Sequence, residues 1–308
     1  VVRELPDLVP GPGTVVVDVE AAGVNYPDVL IVAGRYQLPV PVPFTPGSEY
    51  AGRVSAVGAG VTRWSVGDAV MGASRSGAFA EQVEAADDAL SPVPVGLDMV
   101  SAAAFHVTYA TAFHALVTVG AVAPDEWVVV LGASGGVGSA AVDIAHRLGA
   151  RVLAGASSQS RLELAATLGA DEGVSYLDDD LKRRIRQVTG DGADLVIDPV
   201  GGPHAEQALR GLRWGGRFVS VGFASGEIPR IPLNLLLLKN VTVRGMDIGS
   251  ISTRVPGARD DEQAVLSRLV AEGMRPLVTD VFDLESSPEA LRRIADRRAR
   301  GKLVVQMV

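Results

Sequence analysis

The 308-residue sequence contains no cysteine. Disulfides, thiol nucleophiles and cysteine–zinc sites are therefore excluded, and a reducing, cytoplasmic setting is expected. Histidine is scarce as well. His106, His114, His146 and His204 are scattered along the chain, and none is assigned to a metal. His114 reads as a packing residue and His146 as a surface one. Long apolar runs are missing. Leu233 to Leu238 is interrupted by Asn234 and ended by Lys239, far too short to span a bilayer, so no membrane partner is expected. No signal peptide is read. Basic blocks are missing too, and the net charge is −8, which argues against nucleic acid as a partner. With 47% hydrophobic and 21% charged residues the chain is globular, and its length allows two domains with large cores.

The most informative stretch runs from Trp127 to Ser158. Val128 to Leu131 is a continuous apolar run, as expected of a strand covered on both faces. Ala133-x-Gly135-x-x-Gly138 follows, then an alanine-rich amphipathic helix through about Leu148, then a short strand from Arg151 to Gly155. Strand, glycine turn, helix and strand within about 30 residues is the context that a dinucleotide-binding fingerprint requires. Gly135 lets the backbone approach a pyrophosphate, and Gly138 lets the helix pack closely on the strand. The helix N-terminus presents free N–H groups to the phosphates. Ala133 stands where the motif has its first glycine.

An NAD-preferring site places a carboxylate about 20 residues beyond the glycines. Gly155 is found there instead, followed by Ala156, Ser157, Ser158, Gln159, Ser160 and Arg161. Nothing there repels a 2′-phosphate, and two hydroxyls and a guanidinium could bind one. NADPH is therefore the expected cofactor. The plainer alternative is that Ser158 or Ser160 caps the next helix and Arg161 is solvated.

Residues 1 to about 97 read as β-rich, with strands at Thr14–Ala21, Glu49–Val57, Asp68–Met71 and Ala78–Glu84. Short strands punctuated by glycine and proline suggest a compact, barrel-like domain. Asn25 to Tyr36, followed by Pro39, Pro41, Pro43 and Pro46, reads as an ordered loop suited to the wall of a site. A helical pattern runs from about Ser101 to Val119. From Trp127 to Gly245 strands and helices alternate, the strands being Val128–Leu131, Val152–Ala154, Val174–Tyr176, Leu195–Asp198, Arg217–Val221 and Val241–Gly245. This is α/β patterning: a doubly wound parallel sheet with helices on both faces. The loops Asp198–Gly202 and Val221–Gly226 are expected to line the cofactor crevice. The tail reads as a helix from Asp261 to Glu272, a strand from Val278 to Phe282, a helix from Pro288 to about Arg300 and a closing strand from Lys302 to Val308. Arg292, Arg293, Arg297, Arg298 and Arg300 read as a solvated helix face rather than a phosphate site.

Several separate segments, in order, resemble the zinc-independent NADPH:quinone oxidoreductases, the zeta-crystallin-like group of the medium-chain dehydrogenases/reductases. They are residues 21–28 (Ala-Ala-Gly-Val-Asn-Tyr-Pro-Asp), 46–52 (Pro-Gly-Ser-Glu-Tyr-Ala-Gly), 109–116 (Tyr-Ala-Thr-Ala-Phe-His-Ala-Leu), the glycine motif, 198–202 (Asp-Pro-Val-Gly-Gly) and 238–245 (Leu-Lys-Asn-Val-Thr-Val-Arg-Gly). The resemblance implies a GroES-like β-barrel catalytic domain, residues 1–97 and 247–308, with a Rossmann NADPH-binding domain, residues 98–246, inserted into it. Zinc members of the superfamily carry a ligand cysteine where Asn25 stands and Gly-His-Glu where this chain has Gly47-Ser48-Glu49, so zinc chemistry is not expected.

By the same resemblance, Asn25 and Thr111 hold the nicotinamide end. Ser134, Gly135, Gly136, Val137 and Gly138 lie at the pyrophosphate. Ser157, Ser158, Arg161 and Tyr176 surround the 2′-phosphate and adenosine, and Val200, Phe223 and Ser225 approach the nicotinamide ribose. Tyr36 matches a tyrosine of the substrate cleft, while Leu30 stands where some members have an aromatic. The implied reaction is hydride transfer from NADPH to a quinone or another electron-poor conjugated carbonyl, with Asn25 or Tyr36 donating to the developing oxyanion. No dedicated proton donor is named. An enoyl-thioester reductase and a low-turnover NADPH-binding protein are the rival readings. Relatives pair edge strands, so a homodimer through Val241–Gly245 is expected.

Overall fold

The computed structural model describes residues 2–177 and 179–307. Its chain divides into two compact units, Val1–Val107 with Val270–Val308, and Thr108–Leu269. The divisions fall later than 97/98 and 246/247, for local reasons. Val107 N–H donates to buried Glu49 at 2.6 Å, which ties the segment after residue 97 to the first unit. Glu262, on the helix Ala258–Ala271, bonds to His114 at 3.0 Å, which keeps that helix with the second.

The strands of the first unit are β1 (Thr14–Val24), β2 (Glu49–Val57), β3 (Ala69–Ala73), β4 (Gln82–Ala86) and β5 (Leu90–Pro92). The second unit holds β6 (Trp127–Leu131), β7 (Arg151–Ala156), β8 (Glu172–Ser175), β9 (Ala193–Asp198), β10 (Leu212–Ser220) and β11 (Thr242–Gly245). The tail returns to the first unit with β12 (Val278–Phe282) and β13 (Lys302–Gln306). Val308, the end of the predicted closing strand, lies outside the described residues.

The first unit is a seven-stranded sheet ordered β12-β13-β1-β2-β3-β5, with β4 also paired to β1. β1 organises it. Its first half pairs with β4, Thr14 opposite Ala86, and its second half with β13, Val24 opposite Leu303. Register shifts after Val16 and Val19 mark irregularities in its pairing with β2, the device that bends a strand between two neighbours. A helix, Tyr26–Val32, follows at once where a loop is expected. Pro27 lies in its first turn, and the Asp28 carboxylate accepts the Asn25 N–H at 2.7 Å, a start signal that outweighs the proline-rich sequence downstream. β4 begins at Gln82 rather than Ala78, because the N–H groups of Ala78 and Phe79 are taken by Gly47 and Pro46 carbonyls.

The second unit is a six-stranded parallel sheet ordered β11-β10-β9-β6-β7-β8. Val128 to Leu131 are fully buried, as a central parallel strand requires. The strand order reverses between β6 and β9, so the loops after these two strands flank the switch point where doubly wound sheets bind ligands.

Candidate active site

The glycine loop leaves β6 and enters the helix Gly136–Arg147 directly. Gly135 is the N-cap residue, extended, and no side chain caps the helix. Its first N–H groups are thus left for a ligand. A Cβ on Gly138 would lie 2.0 Å from the Gly132 carbonyl, so only glycine lets the helix sit this close to the loop. A Cβ on Gly135 would meet only that same oxygen, at 3.3 Å, and its other sides are open. Ala133 is fully buried and its N–H bonds to Gly155 at 3.0 Å, tying the loop to β7. This cradle fits a dinucleotide pyrophosphate.

Beyond β7, Ser158 sits at the N-cap of the helix Gln159–Thr167 but makes no side-chain cap bond. Its hydroxyl is 3.3 Å from that of Ser160. Arg161 is half-buried and its Nη1 donates to Ser134 Oγ at 3.2 Å. The structure therefore turns the guanidinium toward the glycine loop rather than into solvent. Tyr176 lies against Gly155, where an added Cβ would be 3.4 Å from its ring. The Tyr176 ring also stacks on His204, with centroids 4.3 Å apart. No local sequence pattern marks His204 as this neighbour.

The loops after β9 and β10 are clamped together. Ala224 N–H bonds to Pro199, Ser225 N–H to Val200 and Gly202 N–H to Glu227. Val200, Phe223 and Ser225 are thereby gathered in one place. Asp198 organises the turn: its Oδ1 accepts from the N–H groups of Val200 and Gly201, both at 2.8 Å. Burial pushes its carboxyl up, partly offset by these two bonds. Thr111 is buried on the helix His106–Phe113.

In the first unit a polar cluster forms at the ends of three adjacent strands. Gly23 on β1 lies opposite Glu49 on β2, and Val24 opposite Leu303 on β13. Asn25 continues β1 in extended conformation, so the register sets it beside Lys302. All three side chains are buried: Glu49 at 0%, Lys302 at 3% and Asn25 at 7% exposure. Lys302 Nζ donates to Glu49 Oε2 at 2.7 Å and to Asn25 Oδ1 at 2.8 Å. Asn25 Nδ2 donates to Glu49 Oε2 at 2.8 Å. Its other contact, to the Gly23 carbonyl, is 3.5 Å long. Asp28 completes the group; burial pushes its carboxyl up to about 6, against the Ser48 side chain, the Asn25 N–H and Lys302, which lower it. Gly23 is obligatory here, since a Cβ would lie 2.2 Å from the Ala103 carbonyl and 2.5 Å from Glu49 Oε2. Tyr36 is half-buried beyond the helix Tyr26–Val32.

These residues do not fit a zinc ion. Both Glu49 oxygens and Asn25 Oδ1 are already occupied by N–H donors, and among the described residues no three His, Asp or Glu side chains are grouped to hold a metal. Sequence reasoning named Asn25 and Glu49 but missed Lys302 and Asp28. A lysine opening an otherwise apolar strand, Leu303 to Val305, is the available signal for Lys302, because a buried lysine requires a partner.

Comparison with known proteins agrees with this layout. Residues 11–96 match the alcohol dehydrogenase GroES-like domain, and residues 136–270 match the domain described as zinc-binding dehydrogenase. The quinone oxidoreductase-like protein 2 homolog of Nematostella vectensis is 35% identical over 300 residues, covering 96% of this chain and 82% of that protein. The Thermus thermophilus quinone oxidoreductase, solved also in complex with NADPH, is 34% identical with a TM-score of 0.86, covering 99% and 95% of the two chains. The CurK enoyl reductase is 28% identical with a TM-score of 0.87, covering 99% and 94%. The chain thus belongs to the medium-chain dehydrogenase/reductase family, in its quinone oxidoreductase group.

Proposed function

We propose that the protein is an NADPH-dependent reductase of quinones or other electron-poor conjugated carbonyls, working without zinc. The observation that carries the reading is the pairing of Arg161 with Ser134 beside an uncapped helix N-terminus, in a segment, residues 155–161, that contains no Asp or Glu. Ser134, Gly135, Gly136, Val137 and Gly138 would hold the pyrophosphate. Ser157, Ser158 and Arg161 would take the 2′-phosphate and Tyr176 the adenosine. Val200, Phe223 and Ser225 would meet the nicotinamide ribose, and Asn25 and Thr111 the nicotinamide end. Bound NADPH supplies the hydride. The protein's part is orientation and charge stabilisation. Asn25 has one amide hydrogen committed to Glu49 and one held only at 3.5 Å; the second is the one it can give to a ligand oxygen. The Tyr36 hydroxyl is the other donor, and solvent supplies the proton.

The test is NADPH oxidation followed at 340 nm with 1,4-benzoquinone, with NADH in parallel and crotonyl-CoA as a second acceptor. Turnover with benzoquinone and NADPH supports the reading. Equal rates with NADH would overturn the cofactor preference and keep the enzyme class. Turnover only with crotonyl-CoA would move the assignment to an enoyl-thioester reductase, which the likeness to an enoyl reductase structure favours as the second reading. Tight NADPH binding with no turnover would leave a binding protein.

We also propose a homodimer through β11 and a cytoplasmic location, with which the lack of cysteine is compatible. Among the described residues no helix is long and apolar enough to cross a membrane.

A further inference from the structure

The buried cluster of Asn25, Glu49 and Lys302 is more than a packed ion pair. A lysine ammonium has only donors and an ionised carboxylate has only acceptors. Glu49 receives three donors, from Val107, Asn25 and Lys302. Between the two charges the Asn25 amide can point in one way alone, with its oxygen on Lys302 Nζ and its nitrogen on Glu49 Oε2. An asparagine lacking this pair could flip and offer an oxygen in place of a hydrogen.

We propose that Lys302 is a positioning residue for Asn25: its ammonium, anchored on Glu49, fixes which end of the Asn25 amide faces a ligand. The proposal rests on the reading that Asn25 meets the nicotinamide end or the acceptor oxygen. Lys302 itself acts through Asn25.

Removing one charge leaves the other buried and unpaired, so Lys302→Met alone is expected to lose stability. The informative variant is the double one, Glu49→Gln with Lys302→Met. It is neutral, and the glutamine oxygen can still accept from Val107. Its amide nitrogen then opposes the Asn25 nitrogen, and the asparagine must turn over. Lys302→Arg keeps charge and donors and serves as the conservative rescue.

The chain has three asparagines, Asn25, Asn234 and Asn240, so ¹⁵N-asparagine labelling of the full chain gives three side-chain amide pairs, with Asn25 assigned by its loss in Asn25→Ser. The expected result is a folded double variant whose Asn25 amide shifts and exchanges faster. Its kcat/KM for NADPH and benzoquinone should fall at least about ten-fold, whereas Lys302→Arg, which keeps a donor on Glu49 and Asn25, should retain part of the wild-type value. An unchanged Asn25 amide in the folded double variant would overturn the proposal. So would a shifted amide with wild-type turnover, since Lys302 would then serve the fold alone. If the wild type itself neither binds NADPH nor turns over, the functional reading has failed, and the amide signal still decides whether Lys302 orients Asn25.

Discussion

Arg161 and Asp28 give the two sharpest tests at the level of single side chains. Arg161→Ala removes a guanidinium that faces the glycine loop. A charge-assisted hydrogen bond contributes about 1.5–3 kcal/mol, so NADPH affinity should fall roughly 10- to 100-fold with NADH affinity nearly unchanged; paired fluorescence titrations would check this. Asp28 concerns stability. Burial raises its carboxyl from 3.8 to about 6, so the folded chain keeps a proton that the unfolded chain releases. Ionised Asp28 therefore opposes folding, and the cost grows as pH rises from about 4 to 6 and is complete above that. At 1.36 kcal/mol per unit the full cost is roughly 3 kcal/mol. Asp28→Asn retains an acceptor for the Asn25 N–H but gains an amide hydrogen needing a partner, so about 1–2 kcal/mol should be recovered. Urea unfolding should show the variant more stable than wild type at pH 7.5 and no more stable at pH 4.5. Asp28's burial was not legible in the sequence. The motif residues are local in sequence, whereas strand register joins positions 25, 49 and 302, with Asp28 added from the helix that follows Asn25.

Elements were legible where an apolar run and its punctuation coincide. β2 and β12 fall where the sequence puts them, and β6 gains only Trp127. β10 begins at Leu212 rather than Arg217 because Arg213-Trp214-Gly215-Gly216 carries no apolar run and the pairing with β9 is irregular there. The region Ser101–Val119 reads as one helical stretch but divides into Met99–Ala103, His106–Phe113 and a π-helical turn, His114–Val119. The turn is stitched by buried His114, which bonds Thr118 at 2.9 Å and Glu262 at 3.0 Å, long-range chemistry that periodicity does not report. The helix expected to run to about Arg300 ends at Ala295; Arg292 and Arg293 on it pair with Glu289 and Asp280, and Arg298 beyond it with Asp296. The glycine loop yields the prediction at this scale. Gly138→Ala would drive a methyl against the Gly132 backbone, 2.0 Å away, and neither element can shift without breaking β6 from its helix. A loss above about 2 kcal/mol is expected, read as a lower thermal midpoint together with weakened NADPH binding. Gly135→Ala meets the Gly132 carbonyl oxygen only at 3.3 Å, so a shift of a few tenths of an ångström accommodates it, and it should lower the midpoint far less than Gly138→Ala while weakening nucleotide binding.

At the scale of the whole molecule, β11 ends the parallel sheet, and all four of its residues are exposed. The helix before it, Asn234–Lys239, and its leading residue carry Leu233, Leu237 and Leu238 at 77%, 82% and 70% exposure. An open strand edge beside exposed leucines is a liability in a lone chain, and pairing two copies across β11 removes it. The backbone shows which substitution separates pairing from folding. Met246 N–H bonds to Ser220 on β10. Alternation along a parallel strand then turns Arg244 and Thr242 inward as well, and Val243 outward. Val243→Pro therefore deletes a donor on the outer edge while leaving the pairing with β10 intact. Light scattering at micromolar concentration should find the wild type dimeric and Val243→Pro monomeric with an unchanged circular dichroism spectrum. A monomeric wild type would remove β11 as an interface. A Val243→Pro variant that stays dimeric would shift the contact from the strand to the leucines, where Leu237→Lys with Leu238→Lys would then dissociate it.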